Sequence, residues 1–130
     1  IRKCHFNSAH RLNNSLWSEE KNREVFGKCN NENYHGHNYV LEVKVIGHID
    51  HETGFVMDLK ELKAIIDQKI TSVYDHRNLN LDVDDFKEVI PTAENIARVI
   101  YERLRPHIKQ ENELKIKLYE TERNIVEYPH

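Results

Sequence analysis

From His35 to His48 the sequence His35-Gly36-His37-Asn38-Tyr39-Val40-Leu41-Glu42-Val43-Lys44-Val45-Ile46-Gly47-His48 alternates. His35, His37, Tyr39, Leu41, Val43 and Val45 share one parity, and Asn38, Val40, Glu42, Lys44 and Ile46 share the other. A period of two over this length predicts a long β-strand with one apolar face. Upstream, residues 3–10 alternate in the same way, with Cys4, Phe6, Ser8 and His10 on one side. Downstream, Asp50-His51-Glu52-Thr53-Gly54 is turn chemistry, and Phe55-Val56-Met57 predicts a return strand paired as a hairpin. Leu114, Ile116 and Leu118 alternate with Lys115, Lys117 and Tyr119, and residues 124–128 supply a last short strand.

Between these strands the period changes. Asp58 can cap a helix whose apolar residues Leu59, Leu62, Ile65, Ile66, Ile70 and Val73 step by three and four. Thr92 can cap a second helix, with Glu94 in the first turn, Ile96, Val99, Ile100 and Leu104 inside, and Pro106 closing the pattern. Residues 11–33 and 74–90 read as polar, ordered loops. The order strand, strand pair, helix, helix, strand, strand gives an α+β fold. It is one domain over residues 1–130, with a four-stranded antiparallel sheet and two helices on one face. The His35 and His37 parity, with Leu41 and Val43, is expected on the face away from the helices. An apolar face left bare there predicts an oligomer.

Composition narrows the function. The 130 residues hold 19 Lys and Arg against 22 Asp and Glu, a net charge of −3 with the signs interspersed, so an electrostatic grip on nucleic acid or anionic lipid is not expected. No run of more than three apolar residues occurs, which excludes a membrane-spanning helix from this sequence. Two cysteines, Cys4 and Cys29, are too few for a disulfide framework and favour a reducing, cytoplasmic compartment. A small-molecule partner is the expectation.

The chemistry lies in nine histidines. His35 and His37 fall on the same strand face about 7 Å apart, close enough for both imidazoles to reach one ion. His10, ending the first strand, is the natural third ligand if that strand pairs at His35. Three histidines leave a tetrahedral zinc ion one open position, as in catalytic sites; with Cys29 as fourth ligand the site would be structural. Cys29 lies in a polar loop beside Lys28, a setting for a reactive thiol. Asp75-His76 offers an imidazole oriented by a carboxylate, although such a dipeptide is also ordinary turn chemistry. Glu120 continues the buried parity of Leu114, Ile116 and Leu118, where an unpaired charge is costly. Either it stands at the wet end of the strand, or it accepts hydrogen bonds from a ligand with adjacent N–H donors.

The segments FNSAHRL (residues 6–12), FGKCNNENYHGHNY (26–39), DHRNLNL (75–81), PTAEN (91–95) and YETERNIV (119–126) together resemble the 6-pyruvoyl-tetrahydropterin synthase and 6-carboxy-tetrahydropterin synthase family over essentially the whole chain. The resemblance implies a tunnelling fold, ββααββ, in which three subunits close a barrel of strands and two trimers form a homo-hexamer. It implies His10, His35 and His37 as Zn2+ ligands, and Cys29 as catalytic base in a triad with Asp75 and His76 completed across a subunit boundary. Glu120, helped by Thr92 and Glu94, would bind the pterin. The implied activity is a lyase reaction: 7,8-dihydroneopterin triphosphate loses triphosphate to give 6-pyruvoyl-tetrahydropterin, a step of tetrahydrobiopterin biosynthesis. The alternatives are the 6-carboxy product of queuosine biosynthesis and a non-catalytic zinc-containing pterin-binding oligomer.

Overall fold

In a computed structural model describing all 130 residues, the long alternating stretch is strand β2, His35–Ile46, at the centre of a five-stranded sheet. Strand β1, Arg2–His10, pairs antiparallel on one side of it, with Cys4 opposite Leu41, Phe6 opposite Tyr39 and His10 opposite His35. Strand β4, Glu113–Tyr119, pairs antiparallel on the other side, with Leu41 opposite Leu118. Strand β5, Ile125–Tyr128, continues beyond β4. The fifth strand is β3, Arg77–Asn78, a two-residue parallel addition beside Ser8 and Ala9 in a stretch expected to be loop.

The expected return strand at Phe55-Val56-Met57 does not form. Both edges of β2 are already taken, by β1 and β4, so a hairpin partner has no place. The Asp50 side chain instead accepts from the Glu52 and Thr53 amides, and the Asp50 amide donates to the Phe55 carbonyl, closing a tight loop. Gly54 permits that loop with φ of +80°.

Both predicted helices are present. Helix α2, Leu59–Ile66, starts at Asp58, whose carboxylate accepts from the Lys60 amide, and continues through a π-turn, Asp67–Thr71, into α3, Ser72–Tyr74. Helix α5, Ala93–Leu104, is capped by the Thr92 hydroxyl, which accepts from the Asn95 amide. The two polar stretches hold more structure than expected. Residues 11–33 contain helix α1, Glu19–Phe26, capped by Ser18 and followed by a 3-10 turn, Gly27–Asn30; residues 74–90 contain β3 and the short α4, Leu79–Asp82.

One further expectation is reversed. The parity of His35, His37, Tyr39, Leu41 and Val43 faces the helices, not solvent. Phe6, Tyr39, Leu41, Val43, Leu114, Ile116 and Leu118 from the sheet form one core with Leu62, Ile66, Ile70, Ile96, Ile100 and Leu104 from the helices. A sheet with a single apolar face must turn it towards the apolar helix stripes. The other face carries exposed Lys3, His5, Asn7, Asn38, Lys44 and Lys115, so no bare apolar sheet face argues for assembly. No helix is long and apolar enough to cross a membrane.

Candidate functional site

The histidines stand where the core face runs out. His10 and His35 are cross-strand partners at the last register position of β1 and β2, and His37 follows opposite Ser8 on the same face. One nitrogen from each of His10, His35 and His37 lies within 4.8 Å of the other two. Ring centroids are 4.5 Å apart for His10 and His35, 5.1 Å for His10 and His37, and 4.9 Å for His35 and His37. The register alone produces this convergence.

Each ring has a different environment. His10 is buried, at 1% exposure, with Nδ1 2.8 Å from the Pro91 carbonyl oxygen. A carbonyl only accepts, so Nδ1 carries the proton and Nε2 keeps its lone pair. Burial pushes His10 down to about 4, which keeps it neutral, the form a metal requires. His35 is also lowered, by burial and then by His37. Both nitrogens of His35, and Nε2 of His37, are buried without a hydrogen-bond partner. Three converging imidazoles with unused nitrogens fit a divalent metal ion, because an ion would satisfy the orphaned atoms together.

Glu120 follows β4 and leans over this cluster. Its amide donates to the Asn124 carbonyl, pinning the turn, and its carboxylate oxygens lie 3.9 Å from His10 Nε2 and 4.0 Å from His37 Nε2. Tyr39, fully buried, sits beneath, its hydroxyl 3.3 Å from His10 Nδ1. Burial, then the Glu120 and Cys29 charges, raise the Tyr39 phenol far above its ordinary range, so the hydroxyl stays neutral. Neither Tyr39 nor Pro91 stood out in the sequence, although Tyr39 shares the parity of His35 and His37.

Cys29 lies in the 3-10 turn and is half-buried; its carbonyl accepts from the Leu12 amide, two residues beyond His10. Lys28, Arg23 and Arg11 line a polar cleft beside it, together with Glu19 and Glu32.

Asp75 and His76 are elsewhere, at the β1 edge. The Asp75 carboxylate accepts from the Asn7 amide at 2.8 Å, and the His76 amide donates to the Asn7 carbonyl at 2.6 Å. His76 Nδ1 is 3.0 Å from Asp75 Oδ2, and the His76 backbone is held at φ of +58°. The Asn7 hydrogen bond, reinforced by His76, holds the Asp75 carboxyl below its usual range. Asn7 points to the face opposite His10 and lies three residues before it, roughly 10 Å of strand. No hydrogen bond joins Cys29 to Asp75 or His76 within the chain. Thr92 is half-buried next to Pro91, and Glu94 is exposed on the first turn of α5.

Known proteins share this arrangement of chain. The family model described as 6-pyruvoyl tetrahydropterin synthase matches residues 1–130. The human 6-pyruvoyl tetrahydrobiopterin synthase is 44% identical over 127 residues, 98% of this chain and 88% of the human protein. A solved structure of the Caenorhabditis elegans 6-pyruvoyl tetrahydropterin synthase superposes with a TM-score of 0.91 at 41% identity, covering 98% of this chain and 91% of that one. The Plasmodium vivax enzyme structure, at 17% identity and a TM-score of 0.65 over 98% of this chain and 97% of that one, shares the fold. Matched along its whole length, the chain belongs to the 6-pyruvoyl tetrahydropterin synthase family.

Proposed function

We propose that the chain, as one domain over residues 1–130, is a 6-pyruvoyl-tetrahydropterin synthase, a lyase that converts 7,8-dihydroneopterin triphosphate to 6-pyruvoyl-tetrahydropterin. The observation that carries this reading is the convergence of His10, His35 and His37 under Glu120 in a chain of this family. His10, His35 and His37 would hold a zinc ion, which supplies Lewis-acid polarisation of the substrate's side-chain oxygens. Glu120 accepts hydrogen bonds from the amino-pyrimidinone edge of the pterin and fixes its orientation. Thr92, whose oxygen accepts the Asn95 amide, keeps its own O–H free to donate, and Glu94 adds negative charge on the same turn.

Cys29 acts as the base that takes the carbon-bound proton, and His76, oriented by Asp75, returns one at the neighbouring carbon. The leaving triphosphate is polyanionic, and Arg23 and Lys28 in the cleft beside Cys29 suit it. Cys29 and the Asp75–His76 pair lie on different parts of one chain and meet across a subunit boundary in a homo-oligomer, a hexamer by family resemblance. Two free cysteines agree with a cytoplasmic location.

Incubation with 7,8-dihydroneopterin triphosphate tests the reading. Triphosphate release and a 6-pyruvoyl product are expected, with both lost in Cys29→Ala while metal content is retained. A 6-carboxy product with acetaldehyde release would overturn the pyruvoyl assignment, and no turnover by the wild type would leave a non-catalytic pterin binder.

A further inference from the structure

Strand β1 ends at His10, opposite the first residue of β2, so Arg11, Leu12 and Asn13 run on with no strand beside them. Their backbone groups still need partners, and side chains supply most of them. The Asn80 amide holds Arg11 at two points: Oδ1 accepts the Arg11 N–H at 2.8 Å, and Nδ2 donates to the Arg11 carbonyl at 2.9 Å. An amide that matches both groups of one residue does the work of a neighbouring strand. The Cys29 carbonyl accepts the Leu12 N–H at 2.8 Å, and Asn30 Nδ2 donates to the Leu12 carbonyl and to Asn13 Oδ1. Arg11 Nε donates in turn to the Asn30 carbonyl at 3.0 Å.

Asn80 is also the last rung of a longer ladder. Asp75 and His76 hold the Asn7 backbone, Arg77 and Asn78 lie beside Ser8 and Ala9, and Asn80 reaches Arg11. The Cys29 turn and the Asn80 amide therefore grip adjoining residues of one short piece of chain, whose other end is the His10 imidazole. Cys29 stands near enough to the cluster that its charge is felt at Tyr39, whose hydroxyl is 3.3 Å from His10 Nδ1.

We infer that Asn80 is a positioning residue for Cys29: its amide keeps residues 11–13 fixed, and through them holds the thiol in place relative to His10, His35 and His37. The catalytic consequence rests on the reading of Cys29 as base given above, whereas the positioning itself rests on the hydrogen bonds. Asn22 supplies a contrast within the same loop. It grips the Asn14 backbone in the same two-point way, at 2.7 and 2.9 Å, but its other bonds go to Trp17 and Ser18.

The test compares Asn80→Ala and Asn22→Ala with the wild type, each metal-free and reloaded with Zn2+, with folding followed by urea melts. Cys29 is alkylated with iodoacetamide at pH 8 and its rate read by peptide mass spectrometry. A cation held near the thiol favours thiolate, so Zn2+ should speed the wild-type reaction by about threefold. Both variants should soften in urea, but only Asn80→Ala should lose the metal dependence while keeping its metal. With 7,8-dihydroneopterin triphosphate, kcat of Asn80→Ala should fall by about tenfold or more, with KM within about twofold. Where Asn80→Ala does not fold, Asn80→Asp replaces it, since a carboxylate accepts the Arg11 N–H but cannot donate to the carbonyl; part of the metal dependence should then be lost.

An undiminished metal dependence in the Asn80 variant overturns the inference, as does a wild type whose Cys29 rate ignores the metal. Equal loss in Asn22→Ala also overturns it, because any loosening of the loop would then suffice. Wild-type turnover with kcat unchanged in Asn80→Ala sinks the inference and leaves the pterin reading intact. If nothing turns over and the metal dependence is lost only at Asn80, the positioning stands and the pterin reading falls.

Discussion

The imidazole of His10 is fixed from behind by Pro91, whose carbonyl oxygen lies 2.8 Å from Nδ1. One backbone oxygen thereby sets the tautomer and the aim of the most buried ring in the site. His10→Gln, which offers no imidazole nitrogen, should lose bound metal at least tenfold more readily than the wild type, measured by competition with a chelator. Equal retention would show that His10 is not a ligand.

His35 leaves both ring nitrogens without a partner when no metal is bound. In metal-free protein His35→Leu should therefore raise stability by about 1 kcal/mol, since an unsatisfied polar ring gives way to an apolar one. Metal content of the same variant should collapse. Opposite signs in denaturant melts and metal analysis identify a residue kept for ligation.

Acid should weaken the metal-free fold. His10 is held at about 4 against an ordinary 6.5, so the unfolded chain binds its proton first as pH falls. The stability of the neutral, buried ring is complete above pH 6.5 and is lost between 6.5 and 4. Between pH 7.5 and 5 the cost is about 2 kcal/mol, with His35 acting in the same direction. Urea midpoints of the metal-free wild type should drop accordingly, and those of His10→Gln should drop less.

The two thiols should separate chemically. Cys4 is pushed up to about 11, first by burial and then by the Asp67 carboxylate. Iodoacetamide at pH 8 should alkylate Cys29 and spare Cys4, read by peptide mass spectrometry. Equal labelling would contradict the packing of β1 against the core.

Gly47 tests the end of β2. A Cβ there would come 2.1 Å from Asn112 Oδ1, on a side chain that is itself buried. Gly47→Ala should cost about 1–3 kcal/mol in denaturant melts. Asn112→Ala in the same chain should recover part of the loss by removing the obstructing amide.

Much of this was legible because alternation is a strong signal. Alternation over residues 3–10 and 35–48 announces β1 and β2, and His10 is a third ligand on the condition that the two strands pair at His35, which they do. Asp58 and Thr92 announced their helices by capping. What was not legible depended on neighbours distant in sequence. Phe55-Val56-Met57 has strand character, yet nothing local reveals that β1 and β4 occupy both edges of β2. Helix α1 was hidden because its single buried residue is Asn22, so it shows no apolar stripe, although Ser18 followed by Glu19 and Glu20 is a readable start. The direction of the histidine face is not legible locally: the apolar residues beyond His37 suggest a second surface to cover, and they are the core itself.

The alternation that packs Tyr39, Leu41 and Val43 against the helices also aims His35 and His37. A one-residue slip between β1 and β2 would turn the core residues and the imidazoles outward together. A well-packed chain with a misdirected metal site is therefore not an accessible mistake. In this sheet, correct folding and readiness to take up the ion are a single checkpoint, passed or failed as one.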